Sequence, residues 1–306
     1  MNNKKFLALF SLLIILAFIG YIIYDTARSP IETEDKTSEP GETVIPDQWR
    51  ISQELFIREG LKAVTVSADG YLYLGGDSFV ACYDKDLKEV WDIGTSEPIT
   101  AVSSYGDTVF ASTVELVYLI GTDGKLIGEW GPYESNCIIT SLSANTNYLA
   151  VADAGNKRVL ILKRNGEVFS MAGQFEEKFL IPSPYFDVYL TDDNTLFLAH
   201  TGSFRIEKRT IEGRLLSFFG ESGTAREKFC GCCNPAHFTV VPQGFVTAEK
   251  GINRIKILSP EGGFVEYVSS ENDFIASVPL DIASADGKTI YGANPADSKL
   301  YVFIRK

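Results

Sequence analysis

The sequence predicts an all-β protein built from six repeated four-stranded units, and three observations lead to this fold class. Beyond residue 48 no stretch shows a sustained helical period of apolar residues. Short runs rich in β-branched and aromatic residues, such as AVTVSA, LVYLI and RVLILK, alternate instead with turn sequences such as ADG, TDG and RNG. These runs recur about every 40 residues, which is the period expected for the blades of a β-propeller.

The N-terminal segment, residues 6–24, predicts a membrane-spanning helix. It contains no charged side chain, and as a helix it would extend roughly 28 Å, close to the thickness of a bilayer core. Lys4 and Lys5 precede it and mostly acidic residues follow, so the positive-inside rule assigns residues 1–5 to the cytoplasm. The remainder would then be periplasmic or at the cell surface. A cleaved signal peptide is the alternative, although the apolar run exceeds the usual signal-peptide core.

The segment that follows, residues 25–48, predicts a flexible linker. It is rich in Glu, Asp, Thr, Ser and Pro and nearly free of large apolar side chains, so it cannot bury enough surface to fold. The folded domain would then comprise residues 49–306. The net charge of -12 argues against nucleic acid as a partner, because phosphate binding needs clustered basic residues.

A repeated pattern marks the individual blades. In three units an arginine is followed eight positions later by a glycine and preceded five positions earlier by a polar residue that ends an apolar run. In the last unit a lysine replaces the arginine. The polar residues Asp153, His200, Glu249 and Asn294 precede Arg158, Arg205, Arg254 and Lys299, respectively.

The number of units also predicts how the ring closes. From residue 61 onwards there is room for six units, but the chain ends at Lys306, one strand short of a complete sixth blade. The unassigned run WRISQELFI, residues 49–57, can supply the missing strand. Closure of this kind would remove the exposed sheet edges.

The segment VADAGNKRVLILKRNGEVFSMAG resembles an NHL repeat, in which an apolar strand ends in Asp and is followed by Asn, by Arg with a strand, and by Gly. The segment VTAEKGINRIKILSPEGGFVEYV is similar to a divergent copy, and the resemblance covers residues 137–268. It implies a six-bladed propeller. Proteins of this family mostly serve as binding platforms and a few relatives are lyases or hydrolases, so function depends on the particular site.

Propeller connectivity predicts which polar residues share a face. The turn after the second strand of a blade lies on the same face as the start of the innermost strands. Four polar residues end second strands, and three others stand near the start of inner strands. We therefore expect one ligand-binding or partner-binding face, at the mouth of the central channel, that carries Asp153, His200, Glu249, Asn294, Asp187, His237 and Asp281.

The segment FCGCCNPAHF, residues 229–238, is expected on the same face. Thiolate and imidazole ligands at this spacing could bind zinc or copper, whereas in an oxidising compartment the cysteines could form a disulfide or remain redox-active thiols. Cys82, in an alternating strand, is predicted to be a buried core thiol. The metal or disulfide candidates are Cys230, Cys232, Cys233 and His237, with Cys137 as a possible cross-channel partner.

These features favour a membrane-anchored binding or scaffold module over an enzyme. The chain contains neither GxSxG nor HExxH and has only two histidines. One alternative is a metal-binding, thiol-redox or electron-transfer accessory protein that uses the cysteines. A lesser alternative is a metal-dependent lyase or hydrolase with His200, His237 and Glu249 around a cation. Glu249 could instead stabilise its blade turn, as Asp does at this position in the family. A histidine at position 200 could ligate a metal or change charge near neutral pH.

Overall fold

The computed structural model describes residues 11–21, 24, 47–173, 178–231, 234–270 and 273–306. Residues 11–21 are helical, but within these described ranges no helix is long and apolar enough to cross a membrane. The predicted transmembrane helix is therefore not supported by the described residues. Much of residues 6–24, and the predicted linker up to residue 46, lie outside them.

The folded unit, Ile45–Lys306, consists of antiparallel four-stranded sheets. In chain order, the strand that precedes the first complete blade is β1 (Trp49–Phe56). Blade 1 contains β2 (Leu61–Val66), β3 (Leu72–Gly76), β4 (Phe79–Tyr83) and β5 (Glu89–Gly94). Blade 2 contains β6 (Ala101–Tyr105), β7 (Thr108–Ser112), β8 (Val117–Gly121) and β9 (Leu126–Trp130). Blade 3 contains β10 (Ile139–Ala144), β11 (Tyr148–Asp153), β12 (Arg158–Lys163) and β13 (Val168–Ala172).

The remaining strands complete the ring. Blade 4 contains β14 (Val188–Leu190), β15 (Leu196–His200), β16 (Arg205–Arg209) and β17 (Leu215–Phe219), with one 3-10 turn at Thr201–Ser203. Blade 5 contains β18 (His237–Val241), β19 (Gly244–Ala248), β20 (Ile255–Leu258) and β21 (Phe264–Ser269). Blade 6 contains β22 (Asp281–Ala283), β23 (Thr289–Asn294), β24 (Lys299–Arg305) and β1. The predicted six-bladed, all-β propeller is confirmed.

Strand β1 closes the ring as predicted. It pairs antiparallel with β24, from Trp49 opposite Arg305 to Phe56 opposite Lys299. The indole of Trp49 is buried, and its Nε1 donates a hydrogen bond to Oε1 of Glu266 in blade 5 at 3.0 Å. The outermost strand of blade 6 therefore comes from the opposite end of the domain, and this pairing leaves β24 without a free edge.

Burial along each blade explains the sequence pattern. The middle strands are sandwiched between neighbouring blades, so β4 is buried at every position and reads as a continuous apolar run. The outer strands alternate, and β5 shows only partial burial at every second residue. The core consists of clusters between adjacent blades, for example Val159 and Ile161 of blade 3 packed with Leu196 and Leu198 of blade 4.

The five-residue spacing between each polar residue and the following basic residue corresponds to a tight turn between the second and third strands. Asp153 pairs with Arg158, His200 with Arg205, and Asn294 with Lys299. The residue before each basic side chain adopts a left-handed backbone conformation, with φ between 52° and 60° at Lys157, Phe204, Asn253 and Ser298. The glycines eight positions after the arginines, Gly166, Gly213 and Gly262, have φ of 86° to 89° in the next turn, which explains their regular recurrence.

Candidate functional site

The channel is lined by the inner strand of each blade, and each inner strand has one edge without a strand partner. Backbone amides on such an edge need other acceptors. Oδ2 of Asp187 in blade 4 accepts a hydrogen bond from the Phe238 amide of blade 5 at 2.8 Å. Oδ2 of Asp281 in blade 6 accepts one from the Val64 amide of blade 1, also at 2.8 Å. The two carboxylates therefore connect neighbouring blades at the start of their inner strands.

Serine hydroxyls elsewhere along the channel also accept hydrogen bonds from amides of the neighbouring blade. Ser103 Oγ of blade 2 accepts from the Ala144 amide at 3.0 Å, and Ser143 Oγ of blade 3 accepts from the Leu190 amide at 2.8 Å. Ser141 Oγ donates to Oδ1 of Asp187. Serine hydroxyls therefore line the wall deeper in the channel, and the carboxylates of Asp187 and Asp281 lie near one mouth.

His237 lies between the two carboxylates at this mouth. Its Nδ1 is 3.4 Å from Oδ1 of Asp281 and 3.8 Å from Oδ2 of Asp187. The Tyr185 ring meets the imidazole edge to face, with the ring centroids 5.9 Å apart. No described residue hydrogen-bonds Nε2 of His237, and the side chain is 18% exposed. We call Asp187, His237 and Asp281 the channel-mouth cluster.

Burial changes the acid–base behaviour of both carboxyl groups in this cluster. It raises the pKa of Asp281 to about 6, with Asp187 adding to the increase and His237 opposing it. Burial also raises the pKa of Asp187, again opposed by His237. The surrounding cavity has a volume of about 600 Å³, including the part open to solvent, and it is lined by Lys62, Thr100 and Thr140 besides the cluster.

The polar residues that end second strands occupy a different environment. Asp153 is fully buried; its Oδ1 accepts from the amides of Ile138 and Asn156, both at 3.1 Å, and its Oδ2 accepts from Nε of Arg158 at 3.0 Å. Oδ1 of Asn294 accepts from the Ala296 amide at 3.1 Å. The polar atoms of these side chains stabilise the turns within their own blades.

His200 belongs to a buried network in blade 4. Nε2 accepts a hydrogen bond from the Leu180 amide at 2.8 Å, so the ring proton is on Nδ1, which donates to Oε1 of Glu207 at 2.8 Å. Glu207 also accepts from Nε of Arg205 and Nε of Arg209. Burial opposes ionisation of Glu207, but hydrogen bonds from His200 and Arg209 outweigh it and lower its pKa to about 2. Sequence reasoning missed Glu207, because RIEKR contains one apolar residue and no pattern that marks a buried glutamate.

Glu249 belongs to a second buried network, in blade 5. Its Oε1 accepts from Nε of Arg254 and from Nζ of Lys256, both at 2.9 Å. Lys256 is fully buried, and burial lowers its pKa to about 8 although Glu249 opposes the decrease. Arg254 and Lys256 each donate to the Lys228 carbonyl at 2.6 Å. The network therefore fixes the loop that leads to the cysteines. Sequence reasoning missed Lys256 because its partners are distant in sequence.

The cysteines of the described part have separate surroundings. Cys82, Cys137 and Cys230 are buried free thiols, which confirms the prediction for Cys82. Burial and the neighbouring Asp153 carboxylate raise the pKa of the Cys137 thiol to about 12. The candidates Cys232 and Cys233 lie outside the described residues. Among those that are described, no group of three or more His, Cys, Asp or Glu side chains is arranged to hold a metal ion.

The face that contains the cluster also exposes large apolar side chains. We call it the channel-mouth face: it consists of the starts of the inner strands, the loops that lead to them and the turns after the second strands. Four exposed apolar residues lie there, between 39% and 57% exposed: Val114, Ile138, Leu180 and Ile275. Within the described ranges, the turns of the opposite face expose only Tyr71 in this way, although the outer strands that follow those turns expose Val90, Leu126, Val168, Leu216 and Val265 near their first residues.

Comparison with known proteins identifies the fold but not a family. No protein-family model and no curated protein matches the chain, so membership of the NHL family stays a prediction. A protein of unknown function from Bacteroides thetaiotaomicron is similar with a TM-score of 0.63 and 15% identity, over 81% of this chain and 70% of that one. A catalytically inactive virginiamycin B lyase from Staphylococcus aureus, solved with quinupristin, gives 0.55 and 16%, over 84% and 100%.

A third similar structure is a chain of the Mitotic Checkpoint Complex. It has a TM-score of 0.58 and 10% identity, over 87% of this chain and 95% of that chain. At such low identities these likenesses establish the fold alone. The six blades are counted from the sheets of this chain, and its propeller fold is similar to structures that include a lyase and a chain of a protein assembly.

Proposed function

We propose that this propeller is a binding module that engages a partner protein at the channel-mouth face. The observation that carries the proposal is the difference between the two faces. The loops and turns of the channel-mouth face expose four large apolar side chains, against one among the described turns on the opposite side. Grouped apolar exposure next to polar atoms is typical of protein interaction surfaces. The similar chain in the Mitotic Checkpoint Complex is consistent with such a role for the fold.

The buried networks argue for binding rather than for catalysis with His200 and Glu249. Both nitrogens of His200 are used within blade 4, and both oxygens of Glu249 are used within blade 5. Among the described potential ligands these residues do not form a cation site with His237. The proposal therefore relies on the channel-mouth cluster and the exposed apolar side chains around it.

We also propose that residues 6–24 anchor the propeller in a membrane and that residues 49–306 lie outside the cytoplasm. The support is the uncharged apolar run and the lysines before it. Extraction of membranes from producing cells with alkaline carbonate tests this proposal. The chain should stay in the membrane pellet, and protease added outside the cytoplasm should digest the propeller. Release of the chain by carbonate, or complete protection from the protease, would contradict it.

The binding proposal is tested by substitutions in the full chain. Cells that produce it are treated with an amine-reactive crosslinker, and its adducts are separated by mass. Ile138→Glu and Leu180→Glu should each remove the same adduct, because a carboxylate in an apolar contact is costly to desolvate. The control is Ile127→Glu on the outer strand of blade 2, where the wild-type side chain is 63% exposed, against 39% for Ile138 and 55% for Leu180. An adduct lost only in the control would refute the proposal.

A further inference from the structure

We infer that the partner inserts a basic side chain, lysine or arginine, flanked by apolar residues, into the channel mouth between Asp187 and Asp281. This inference rests on the proposed function, because it concerns the same face, and it specifies the chemistry of the partner. It combines two observations: the charge balance of the cluster and the apolar side chains that surround it.

The channel-mouth cluster carries an excess of negative charge. Two carboxylates line the mouth, and among the described residues His237 is the only basic side chain that contacts them. Lys62 lines the same cavity, but its Nζ forms an ion pair with Asp77. Lys250 lies over the Tyr185 ring, 4.6 Å from its centroid. Buried charges are stable when they are paired, so a cation that enters the mouth would offset the excess negative charge.

The geometry of Asp281 leaves one oxygen available to such a cation. Oδ2 is occupied by the Val64 amide at 2.8 Å. Oδ1 faces His237 at 3.4 Å, which is longer than the 2.7–2.9 Å typical of a charge-assisted hydrogen bond. A guanidinium or ammonium group that approached along the channel axis could donate to Oδ1. Asp187, which accepts from Ser141 and the Phe238 amide, would contribute mainly through its charge.

The apolar side chains indicate what flanks the basic group. Ile138 and Leu180 lie in the loops that lead to inner strands, and their backbone atoms contact the turns of blades 3 and 4: the Ile138 carbonyl accepts from Ala154 at 2.8 Å and the Leu180 carbonyl from Gly202 at 3.0 Å. Val114 is next to Ile138, because its carbonyl accepts from the Ile139 amide at 2.9 Å. A partner segment with apolar residues beside its basic residue would bury these side chains.

Other occupants match the observations less well. An acidic segment would add like charge to the cluster. A free metal ion lacks a suitable set of three protein ligands among the described residues. A neutral apolar ligand would cover the exposed side chains but leave the two carboxylates uncompensated. A protein segment with a basic residue flanked by apolar residues would both neutralise the two carboxylates and cover the exposed apolar side chains.

The test uses four capped peptides of sequence Gly-Leu-X-Leu-Gly, with X as lysine, arginine, norleucine or glutamate, titrated by calorimetry into the purified full chain. The lysine and arginine peptides should bind at least tenfold more tightly than the norleucine and glutamate peptides. Asp281→Asn should remove this preference, because asparagine keeps an oxygen for the Val64 amide but carries no charge. Asp192→Asn, at the other end of the channel, is the matched control and should keep the preference.

The outcomes separate this inference from the proposed function. Equal binding of the lysine and norleucine peptides, with both abolished by Ile138→Glu, would overturn the inference that the partner inserts a basic side chain. It would still support binding at the channel-mouth face. No binding of the lysine peptide to the wild-type chain would also overturn the inference. Equal loss of the preference in Asp281→Asn and Asp192→Asn would refute the role of the cluster. A circular dichroism melt of each variant shows that the propeller is folded when binding is measured.

Discussion

The carboxylate of Asp281 should destabilise the propeller at neutral pH, and its removal should therefore stabilise the fold. Burial raises the pKa of this group from 3.8 to about 6. Each tenfold change in proton affinity is worth about 1.4 kcal/mol, so ionisation in the folded state costs up to about 3 kcal/mol relative to the unfolded chain. Asp281→Asn avoids this cost and keeps an acceptor for the Val64 amide.

The stability difference between Asp281→Asn and wild type should depend on pH. A group whose pKa is higher in the folded state contributes stability that is complete below the unfolded pKa, near 4, and that is lost as the pH rises through about 6. Wild type should lose this contribution between pH 4 and pH 7, and Asp281→Asn should not. The variant should then exceed wild type by up to about 3 kcal/mol at pH 8 and by little at pH 4.

The assay is urea unfolding of the full chain, followed by the fluorescence of tryptophan at pH 8 and at pH 4. Trp49 is buried at the closure of the ring and should report global unfolding. Asp192→Asn, an exposed carboxylate at the other end of the channel, is the control and should change stability by less than about 0.5 kcal/mol. An Asp281→Asn variant that is less stable than wild type at pH 8, or equally shifted at both pH values, would show that ionisation of Asp281 does not destabilise the fold.

Three further predictions concern the buried networks and thiols. Glu249→Gln should lower the free energy of unfolding by about 3–5 kcal/mol, because two buried cations lose their counter-ion, whereas Glu167→Gln in an exposed pair should have little effect in the same urea titration. Because its folded pKa is about 2, Glu207 should contribute stability that is present above pH 4.5 and lost as the pH falls towards 2; Glu207→Gln should lack this slope in acid titrations. Cys82 and Cys137, whose pKa values burial raises to about 11 and about 12, should be alkylated only after unfolding, as mass spectrometry would show.

The blades could be predicted because their signals are local. A strand with alternating apolar and polar residues, or with a short apolar run, can be recognised together with its turn sequence within about ten residues. The spacing between Asp153 and Arg158 is likewise a property of one tight turn. Closure by residues 49–57 followed from counting strands, since a ring with one missing strand needs one more.

The composition of the site could be predicted only in part. The sequence placed seven polar residues on one face, but local patterns do not distinguish a side chain that points into the channel from one that caps its own turn. Asp153 and His200 form contacts within their own blades. Asp187 and Asp281 instead contact amides 51 and 217 residues away. Those contacts arise only when the ring brings blade 4 against blade 5, and blade 6 against blade 1.

Buried charges are the other feature that local patterns conceal. Lys256 stands in an apolar strand and would ordinarily be expected to project into solvent. It is fully buried because Glu249 and the carbonyl of Lys228 both accept hydrogen bonds from its ammonium group. The loop that supplies Lys228 precedes the strand by nearly thirty positions, and no period in the sequence connects the two.

If a partner binds at the channel-mouth face, site-specific photo-crosslinking should detect the contact there and not elsewhere on the propeller. A photoreactive amino acid is introduced in turn at Ile138 and Leu180 on this face, at Tyr71 on the opposite face and at Ile127 on the outer rim, all exposed in the structure. In cells that produce the full chain, we predict one adduct of the same mass from Ile138 and Leu180 and none from the other two positions. An adduct from Tyr71 or Ile127, with none from Ile138 and Leu180, would contradict binding at the channel-mouth face.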